Sequence, residues 1–557
     1  MSGRPLQVRW LGQVRYRDAL ALQNALFASD VDYLLLLEHS PVFTLGSRAS
    51  LEHLLCDPVV VGADVERADR GGDITWHGPG QLVGYPILTL PDYRAGLADI
   101  TAHVRSMEQL VIDVVTSFGL TDVGRLADYP GVWVGVGEGR PRKIAAVGSR
   151  VVRRRSKHGF ALNVSPDMEW FTRLVPCGIS EYPVTSLAGE GVDVSMREVT
   201  EAVALRAAQL WSGGSAERAE VAWRVRPTDM AAFTRDRGIG STSRDLDEDA
   251  VSVRVRGRLE EAGVDHNQAV RWRERKPEWM RTRLRLDGDV AQVRSTVKEL
   301  RLVTVCEEAG CPNLSECWSD GTATFMINGD RCTRACGFCL VDTRKPEPLD
   351  PSEPQRVAEA VARMDLRHAV VTCVARDDVP DGGAAAFAAT IGAIRAARPE
   401  CAVEVLVSDF QGDPAAIDSV IAARPDVFNH NVETVARLQR AVRPSASYAR
   451  SLAVLGRASA AGLVVKSGLV LGMGETDDEV VLALRDLRSV GVSIVTLGQY
   501  LRPTAAHVPV QRWWTPAEFE CFADVGRELG FAHVESSPLT RSSYHARSAA
   551  GAAAVAT

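Results

Sequence analysis

Six of the eleven cysteines of this chain form two triplets within residues 306–339. The triplets are Cys306-x4-Cys311-x5-Cys317 and Cys332-x3-Cys336-x2-Cys339. Three thiolates can hold a four-iron cluster and leave one iron open to another ligand, and chemistry can occur at that open iron. Two adjacent triplets therefore predict two [4Fe-4S] clusters.

Zinc is the alternative metal, because C-x-x-C pairs in intracellular proteins most often form four-thiolate zinc sites. Six cysteines would give one such site with two thiols left over, or a six-thiolate binuclear cluster. Zinc ribbons, however, bring their ligands as two short pairs separated by a long loop, whereas each group here is a complete triplet. A disulfide framework is disfavoured, because the chain is long, poor in cysteine elsewhere and without a secretory signal.

A different chemistry is suggested by Cys177, which lies in the turn Pro176-Cys177-Gly178. Cysteine is a good nucleophile when a base or cation stabilises its thiolate. Lys143 is the candidate partner, since it stands alone at the entry of a strand of small apolar residues, where a lysine can act as a base. A structural cysteine in a tight turn is the competing interpretation.

The whole chain is typical of a globular protein with two or three domains. It has 557 residues, of which 46% are hydrophobic and 24% charged. The net charge of -7 gives no reason to expect nucleic acid or an anionic membrane as a partner. No apolar run approaches the ~20 residues needed to cross a bilayer. A cytoplasmic location is expected, since a reducing compartment suits oxygen-sensitive clusters.

The composition changes near the middle of the chain. Residues 1–212 contain apolar strands and glycine-rich turns, residues 213–275 form a charged linker region, and residues 276–557 form a second domain. The alternation over 251–255 predicts an isolated strand within the linker. A poorly ordered tail is expected after about residue 548.

Strand and helix patterns alternate after the second cysteine triplet. Apolar runs at 369–375, 402–407, 427–430, 463–471 and 494–499 predict strands. Capping boxes predict helix starts at Ser352, Thr476 and Thr515, and Asp413-Pro414 predicts another. This α/β pattern favours a parallel sheet closed or partly closed as a barrel, with its active site at the carboxyl ends of the strands.

The spacing Cys332-x3-Cys336-x2-Cys339 at the head of this series resembles the radical S-adenosylmethionine enzymes. The resemblance implies a partial (βα) barrel in which the fourth iron binds S-adenosylmethionine and the cofactor is cleaved to a 5′-deoxyadenosyl radical. The expected cofactor contacts are Phe338, Asn429, Asn431, Glu433 and Lys466. A plain core position is the alternative for Phe338.

Over about residues 276 to 548 the chain resembles lipoyl synthase. The segments that carry this resemblance are the upstream triplet, Arg376-Asp-Asp-Val-Pro-Asp-Gly-Gly-Ala384, Phe428-Asn-His-Asn-Val-Glu433, Lys466-Ser-Gly468, Gly498-Gln-Tyr500 and Arg541-Ser-Ser-Tyr544. The resemblance implies an auxiliary cluster held by Cys306, Cys311, Cys317 and Ser543, with Ser542 as the rival serine. It also implies sulfur insertion at C6 and C8 of a protein-bound octanoyl chain, with two S-adenosylmethionines used per product.

Over about residues 5 to 212 the chain resembles octanoyl-carrier-protein:protein octanoyltransferases, which have the mixed α/β fold of biotin and lipoate ligases. The resemblance rests on Glu38–Gly46, Arg70–Gln81, Lys143–Gly148, His158–Asn163 and Pro176–Gly178. It implies a Cys177 thioester with Lys143 as general base. The implied substrate-binding residues are Arg70, Gly71, Gly72, His77, Gly78, Gly80, Gln81, Ala146, Val147, Gly148, His158, Gly159 and Phe160.

The basic run Arg153–Lys157 departs from this resemblance. It is interpreted either as a solvated face or as a docking surface for an acidic carrier protein.

The two halves together predict a bifunctional enzyme of lipoyl cofactor biosynthesis. Its expected partners are octanoyl-acyl carrier protein, lipoyl-domain proteins of 2-oxoacid dehydrogenases and glycine cleavage, an electron donor and iron–sulfur assembly proteins. One alternative is a transferase half that only binds lipoyl domains. Another is a sister sulfur-inserting enzyme, such as a biotin synthase, whose auxiliary cluster has two irons.

Overall fold

The computed structural model describes residues 6–93, 97–127, 129–176, 179, 181–214, 216–220, 253–271, 274–280, 296–304, 313, 317–318 and 320–556. The chain divides into two compact units, Met1–Val225 and Arg226–Thr557. Among the described residues, no helix is both long and apolar enough to cross a bilayer.

The first unit is a mixed α/β domain, as predicted. Its strands are β1 (Leu6–Val14), β2 (Tyr33–His39), β3 (Val42–Leu45), β4 (Asp64–Arg67), β5 (Ile74–His77), β6 (Gln81–Ile87), β7 (Val123–Leu126), β8 (Tyr129–Val134), β9 (Arg142–Val152), β10 (Arg155–Asn163) and β11 (Ala216–Glu220). Its helices are α1 (Tyr16–Phe27), α2 (Pro58–Val61), α3 (Ile100–Ser117) and α4 (Met196–Ser212), with 3-10 turns at Leu51–His53, Met168–Arg173 and Ala188–Glu190.

Eight of these strands form one sheet in the order β11-β1-β2-β6-β10-β9-β8-β7, and a small sheet has the order β4-β3-β5. The β11-β1-β2 pairs are parallel and the others in the large sheet are antiparallel. Helices α3 and α4 pack on each other and against the large sheet, and α3 turns buried Leu110, Val111 and Val114 toward the core. This face places its apolar residues at helical spacing, so burial there stabilises both helix and sheet.

The second unit is an open parallel sheet with helices, which confirms the predicted partial barrel. Its strands are β12 (Val303–Thr304), β13 (Thr322–Ile327), β14 (His368–Cys373), β15 (Ala402–Leu406), β16 (Val427–Asn429), β17 (Val465–Leu471), β18 (Ile494–Gln499) and β19 (His533–Ser536). Its helices are α5 (Val253–Glu261), α6 (Glu353–Arg363), α7 (Ala384–Ala397), α8 (Pro414–Ala422), α9 (Gln439–Val442), α10 (Tyr448–Ala460), α11 (Asp477–Ser489), α12 (Pro516–Glu528) and α13 (Ala546–Ala556). Shorter 3-10 turns are His266–Gln268, Glu278–Met280, Phe410–Gly412 and Ala436–Leu438.

The strands of this sheet follow chain order from β12 to β19. Only the β12–β13 pair is antiparallel, and every later pair is parallel. Parallel neighbours need a crossover, and the intervening helices supply it. The carboxyl ends of seven strands therefore lie at one edge, where a site is expected.

Most of the predicted helix starts are confirmed in detail. Thr476 and Thr515 each form a complete capping box, and the Asp413 side chain caps α8 with proline at its first position. The capping box predicted at Ser352 is wrong, because its hydroxyl donates to Asp350 and leaves the helix uncapped by that side chain.

Parts of the expected linker region form regular secondary structure. Strand β11 lies beyond residue 212 and extends the first sheet at its edge. The strand predicted for 251–255 is wrong for the described residues, because 253–261 is helical, with Val255 and Leu259 buried at i,i+4 spacing. Residues 251 and 252 lie outside the described residues.

The tail expected after about residue 548 contains most of helix α13. Helix α13 packs Ala549 and Ala553 against Val427 and Ile494, the first residues of β16 and β18. Alanine has the highest helix propensity, and this packing covers the amino ends of the strands. The tail therefore caps the barrel opposite the carboxyl edge.

Candidate functional site

Lys143 lies buried in the wall of a small pocket in the first unit. Its Nζ is 5.3 Å from the centre of the Trp133 ring, within range of a cation–π contact. A Cβ on Gly131 would approach Lys143 Cε to 2.7 Å, so the glycine leaves room for the lysine chain. The pocket is lined by Thr75, Gln81, Lys143, Ala145, Ala146, Ala161, Asn163, Phe171, Pro176 and Val184.

Cys177 and Gly178 lie outside the described residues, but the chain on either side is anchored beside Lys143. Before them, Val175 N–H donates to His53 O, and Pro176 lines the pocket. After them, Lys143 N–H donates to Pro183 O and Thr185 N–H donates to Lys143 O, both at 2.9 Å. The chain is thus held to the Lys143 strand soon after it passes Cys177.

The residues predicted from β9 and β10 face one another across an antiparallel pair. Gly148 is opposite Gly159, and Val147 is opposite Phe160. Of these predicted residues, only Ala146 lines the pocket, whereas Phe160 lies in the core with its ring against Gly84. The side chains of a strand alternate between faces, which separates Ala146 from Val147.

Arg70 holds its own loop, which also contains Gly71 and Gly72. Its guanidinium donates to Thr44 O at 2.8 Å and to Asp73 O at 2.9 Å. The loop lies on β9, where Gly71 N–H donates to Ser149 O. The arginine therefore shapes this wall of the domain.

His77 and Gln81 begin a hydrogen-bonded series that reaches the pocket. His77 Nδ1 donates to Gln81 Oε1 at 2.7 Å, Gln81 Nε2 donates to Asn163 Oδ1 at 3.0 Å, and Asn163 Nδ2 donates to Thr185 O at 2.9 Å. Burial, together with the neighbouring His39, lowers the pKa of His77 well below its usual value, so His77 is neutral. The series orients Gln81 and Asn163 in the pocket wall.

Gly78 and Gly80 close the turn between β5 and β6. A Cβ on Gly78 would lie 2.0 Å from the Trp76 ring. Gly80 has φ +83°, a left-handed conformation that glycine adopts without strain, and its N–H donates to Glu38 at 2.7 Å. Burial raises the pKa of this Glu38 carboxyl, which the Gly80 N–H partly opposes.

His158 is paired with Asp69 and does not line the pocket. Its Nε2 lies 2.6 Å from Asp69 Oδ1, and Lys157 Nζ lies 2.8 Å from the other oxygen. Burial lowers the pKa of His158 to about 4. Burial acts to raise the pKa of Asp69, but Lys157 and His158 hold it at about 2.

These contacts limit the docking hypothesis for the basic run. Arg155 is buried and donates to Asp32 at 2.6 Å, and Lys157 is used by Asp69. Arg153 is the exposed residue of this run, and Arg154 is half-buried.

In the second unit, the loop of Cys332, Cys336 and Cys339 is bound to the carboxyl edge of the sheet. Thr333 donates to Ala375 O, just beyond β14, through both its N–H and its hydroxyl. Gly337 N–H donates to Val442 O at 2.7 Å, and the Cys339 carbonyl lies 2.9 Å from His507 Nε2.

A buried ion-pair network supports the same loop. Arg334 donates to Asp377 at 2.7 Å and to Asp409 at 2.6 Å, and Arg450 also pairs with Asp409. Burial acts to raise the pKa of Asp409, but the two guanidinium groups hold it well below its usual value. The network fixes the cysteine loop from beneath.

The three thiols are the type of donor that binds an iron–sulfur cluster. Burial and the neighbouring thiols raise the pKa of Cys336 to about 11 and of Cys339 to about 12, and burial raises that of Cys332. A bound cluster would supply the positive charge that stabilises thiolates in such a site. The backbone N–H of Arg334 also donates to Cys332 Sγ at 3.4 Å, and hydrogen bonds of this kind tune the sulfurs that hold a cluster.

No three His, Cys, Asp or Glu side chains of the described part of the chain are placed to bind a single metal ion together. A four-iron cluster makes a different demand, because each cysteine binds its own iron. Phe338, half-buried between Cys336 and Cys339, lies on this loop.

Asn429, Asn431 and Glu433 lie at or just beyond the carboxyl end of β16, and Lys466, the second residue of β17, pairs with Asn429 across the two strands. Lys466 is completely buried and donates to both oxygens of Glu404, at 3.0 and 3.2 Å. Asn429 Nδ2 donates to the same carboxylate at 3.0 Å. Burial raises the pKa of Glu433, with Arg443 and the Asn431 side chain acting in opposition.

Glu404 was missed by the sequence reasoning. Its signal was a single carboxylate within the apolar strand Ala402-Val-Glu-Val-Leu406. Burial acts to raise its pKa, but Lys466 and His368 hold it at about 2. The carboxylate is therefore ionised and neutralises Lys466 inside the barrel.

The upstream triplet is described only at Cys317, since Cys306 and Cys311 lie outside the described residues. Cys317 N–H donates to Asn313 O at 3.0 Å, and Asn313 Nδ2 donates to Leu539 O at 2.8 Å. Arg547 pairs with Asp320 at 2.6 Å. The C-terminal segment that carries the serine motif therefore lies beside Cys317.

The two candidate serines differ in their contacts. Ser542 Oγ lies 3.1 Å from Asn429 Nδ2 and 3.2 Å from Asn431 Nδ2. The Ser543 hydroxyl makes no hydrogen bond to another described residue. The structure thus brings Ser542 to the two asparagines.

Comparison with known proteins assigns a family model to each unit. Residues 15–207 match the lipoyl protein ligase A/B catalytic domain, and residues 326–487 match the radical SAM superfamily. The chain is 56% identical over 278 residues to lipoyl synthase of Rubrobacter xylanophilus, covering 50% of this chain and 87% of that protein. It is 54% identical over 273 residues to lipoyl synthase of Mycobacterium tuberculosis, covering 49% and 88%.

Solved structures are more distant. A bipartite lipoate protein ligase from Thermoplasma acidophilum has 19% identity and a TM-score of 0.33, covering 39% of this chain and 88% of that one. Methylornithine synthase has 12% identity and a TM-score of 0.29, covering 45% and 79%. The high identity to lipoyl synthases and the two family models show that this enzyme belongs to the lipoyl synthase family and carries a lipoyl protein ligase A/B catalytic domain in the same chain.

Proposed function

We propose that this chain makes the lipoyl cofactor in two successive reactions on one protein substrate. The first unit would transfer an octanoyl group from acyl carrier protein to a lysine of a lipoyl domain. The second would insert sulfur at C6 and C8 of that bound octanoyl chain. The observation that carries the first reaction is the shared pocket of Lys143 and Pro176, the residue before Cys177.

In the first reaction, the Cys177 thiolate attacks the thioester carbonyl of octanoyl-acyl carrier protein, and the carrier thiol leaves. Lys143 accepts the proton of Cys177 and passes it to the departing carrier thiolate. It later accepts the proton of the attacking lysine amine and returns it to the Cys177 thiolate, which leaves as the amide forms. The apolar pocket wall of Ala145, Ala146 and Ala161 suits an alkyl chain. Arg70, His77 and His158 are proposed to act indirectly, since their polar groups hold neighbouring protein atoms.

In the second unit, Cys332, Cys336 and Cys339 would hold one [4Fe-4S] cluster, and Cys306, Cys311, Cys317 and Ser543 the auxiliary one. When bound, these clusters and S-adenosylmethionine would supply radical hydrogen abstraction and sulfur. Asn429, Asn431, Glu433 and Phe338 are proposed S-adenosylmethionine contacts. Lys466 is proposed to act indirectly, because it pairs with the buried Glu404, which in turn accepts a hydrogen bond from Asn429.

The assignment of Ser543 as ligand is supported by the use of Ser542 elsewhere. The Ser542 hydroxyl is already hydrogen-bonded to Asn429 and Asn431. A serine that binds iron must offer its oxygen as an alkoxide. Ser543 suits this role better than Ser542, whose hydroxyl is already used by the asparagines.

The proposed partners are octanoyl-acyl carrier protein, lipoyl-domain proteins of 2-oxoacid dehydrogenases and glycine cleavage, an electron donor and iron–sulfur assembly proteins. A cytoplasmic location is part of the proposal, because the thiolate and cluster chemistry requires a reducing compartment.

An anaerobic assay with octanoyl-acyl carrier protein and an apo lipoyl domain, followed by intact mass, tests both reactions. The wild-type chain should form an octanoylated and then a lipoylated domain. Cys177→Ala should form neither, yet should still thiolate a domain that is already octanoylated. Cys332→Ala should stop at the octanoylated domain.

The control is Cys56→Ala, a thiol of the same unit that does not line the pocket; it should behave as wild type. Octanoyl transfer by Cys177→Ala would reject the thioester. Failure of the wild-type chain to transfer octanoyl would favour a unit that only binds lipoyl domains. About eight irons per reconstituted chain support two four-iron clusters, whereas about six would reject them.

A further inference from the structure

The segment 539–547 links three parts of the second unit. At its start, Leu539 O accepts from Asn313, four residues before Cys317. At its end, Arg547 pairs with Asp320. Between them, Ser542 reaches the carboxyl end of β16.

The hydrogen bonds of Ser542 are made to a rigid partner. Asn429 is completely buried and is fixed by Glu404, which is itself paired with the buried Lys466. Asn431 is also buried, and its backbone carbonyl accepts from Arg443 at 2.9 Å. The bond to Glu404 fixes the orientation in which Asn429 presents its amide group, and the Arg443 bond holds the backbone at Asn431.

We propose that Ser542 is a positioning residue, which ties the loop of the Ser543 ligand to Asn429 and Asn431 and thereby sets how firmly the auxiliary cluster is held. The inference rests on the proposed function, since it takes Ser543 as the cluster ligand. A serine bound to iron is displaced more easily when its loop is free to move, because the oxygen can leave without breaking other contacts. Ser542 supplies those contacts from the adjacent position.

The proposal also connects the two cofactor sites. Asn429 and Asn431 are the proposed S-adenosylmethionine contacts, and the same amides hold the residue next to Ser543. Ser542 therefore links the carboxyl edge of the barrel to Ser543, the proposed ligand, which is its neighbour in the chain.

The test measures iron release to a ferrous chelator under anaerobic conditions, in the full chain with Cys332, Cys336 and Cys339 replaced by alanine. All bound iron in this background belongs to the auxiliary cluster. Ser542→Ala should release it about tenfold faster, the change expected for the loss of one net hydrogen bond. Ser542→Thr keeps a hydroxyl and should stay within about twofold of the background.

The control is Ser548→Ala, an exposed serine six positions further along the chain in helix α13, which should not change the rate. Asn431→Ala removes the partner from the other side and should also accelerate release. Equal rates for Ser542→Ala and Ser548→Ala would overturn the proposal. So would a Ser542→Ala variant that binds no iron beside a Ser543→Ala variant that does, since Ser542 would then be the ligand.

Failure of the proposed function gives a different result. If the upstream cysteines hold no four-iron cluster, the background chain itself will contain no reconstituted iron, and the Ser542 comparison fails with it. Iron in the background with no effect at Ser542 rejects only the positioning role.

Discussion

Replacing Glu404 with glutamine should lower the melting temperature of the lipoyl synthase unit by roughly 6–10 °C, at about 2 °C per kcal/mol for a large domain. Glu404 and Lys466 are both completely buried, and their charges neutralise each other at 3.0 and 3.2 Å. Glutamine keeps the shape and one acceptor but removes the negative charge. Breaking one partner of a buried ion pair costs about 3–5 kcal/mol, because the other charge stays in the interior without compensation.

The sign of the pH dependence follows from the lowered pKa of Glu404. Burial acts to raise this pKa, but Lys466 and His368 hold it at about 2, below the ordinary 4.5. The stabilisation is therefore fully present above about pH 4.5 and is lost as the pH falls toward 2. A measurement at pH 7 captures all of it.

Scanning calorimetry of the anaerobic, cluster-free full chain would measure the effect, with the transferase transition as an internal reference. The matched control is Glu520→Gln, which breaks an ion pair with Arg527 at 2.8 Å whose side chains are 69% and 57% exposed. Such surface pairs contribute about 0–1 kcal/mol, so the control should shift the transition by no more than about 2 °C. A Glu404→Gln protein with the same melting temperature as the Glu520→Gln control would refute this reasoning.

Three further predictions concern other parts of the chain. Gly159→Ala would place a Cβ 2.1 Å from a backbone carbonyl oxygen and should destabilise the transferase unit by about 3 kcal/mol or more, whereas Gly124→Ala makes only ordinary contacts and should melt as wild type. Burial lowers the pKa of His103 to about 4, so its contribution to folding stability is fully present above about pH 6.5 and is lost as the pH falls toward 4. In thermal melts, His103→Leu should remove up to about 3 kcal/mol of this pH-dependent loss of stability. An unchanged dependence of melting temperature on pH would contradict the prediction. Ala553→Glu would bury a charge and should destabilise the lipoyl synthase unit by about 2 kcal/mol or more, whereas the exposed Ser548→Glu should not; equal melting temperatures would show that the terminal helix does not pack on the barrel.

The pattern of local signals explains which elements were predictable. Thr476 and Thr515 were found as helix starts because a capping box is a contact between residues three apart. Ser352 had the same spacing, but its hydroxyl bonds to Asp350, and a sequence pattern does not decide between two nearby partners. The Val253–Glu261 helix was mistaken for a strand because five residues are too few to separate the two periods.

The C-terminal helix α13 is a second element that local sequence signals did not predict. Its run of alanines has no hydrophobic periodicity that distinguishes a buried face from an exposed one. The buried face is set instead by the apolar residues at the amino end of the barrel, against which the helix packs. Val427 and Ile494 provide that end, and they lie far away in the sequence.

The sequence by itself carries the proposed chemistry, because cysteine spacing, an isolated lysine and a serine motif are properties of residue type and order. It also determined the alternation of strands and helices, which depends on contacts between near neighbours. Only the tertiary structure decided what each polar group touches. It paired Lys466 with Glu404, turned His158 to Asp69 and brought Ser542 to Asn429 and Asn431. Such pairings join residues as much as 113 positions apart, and they depend on how the strands are ordered and in what register, which no local pattern records.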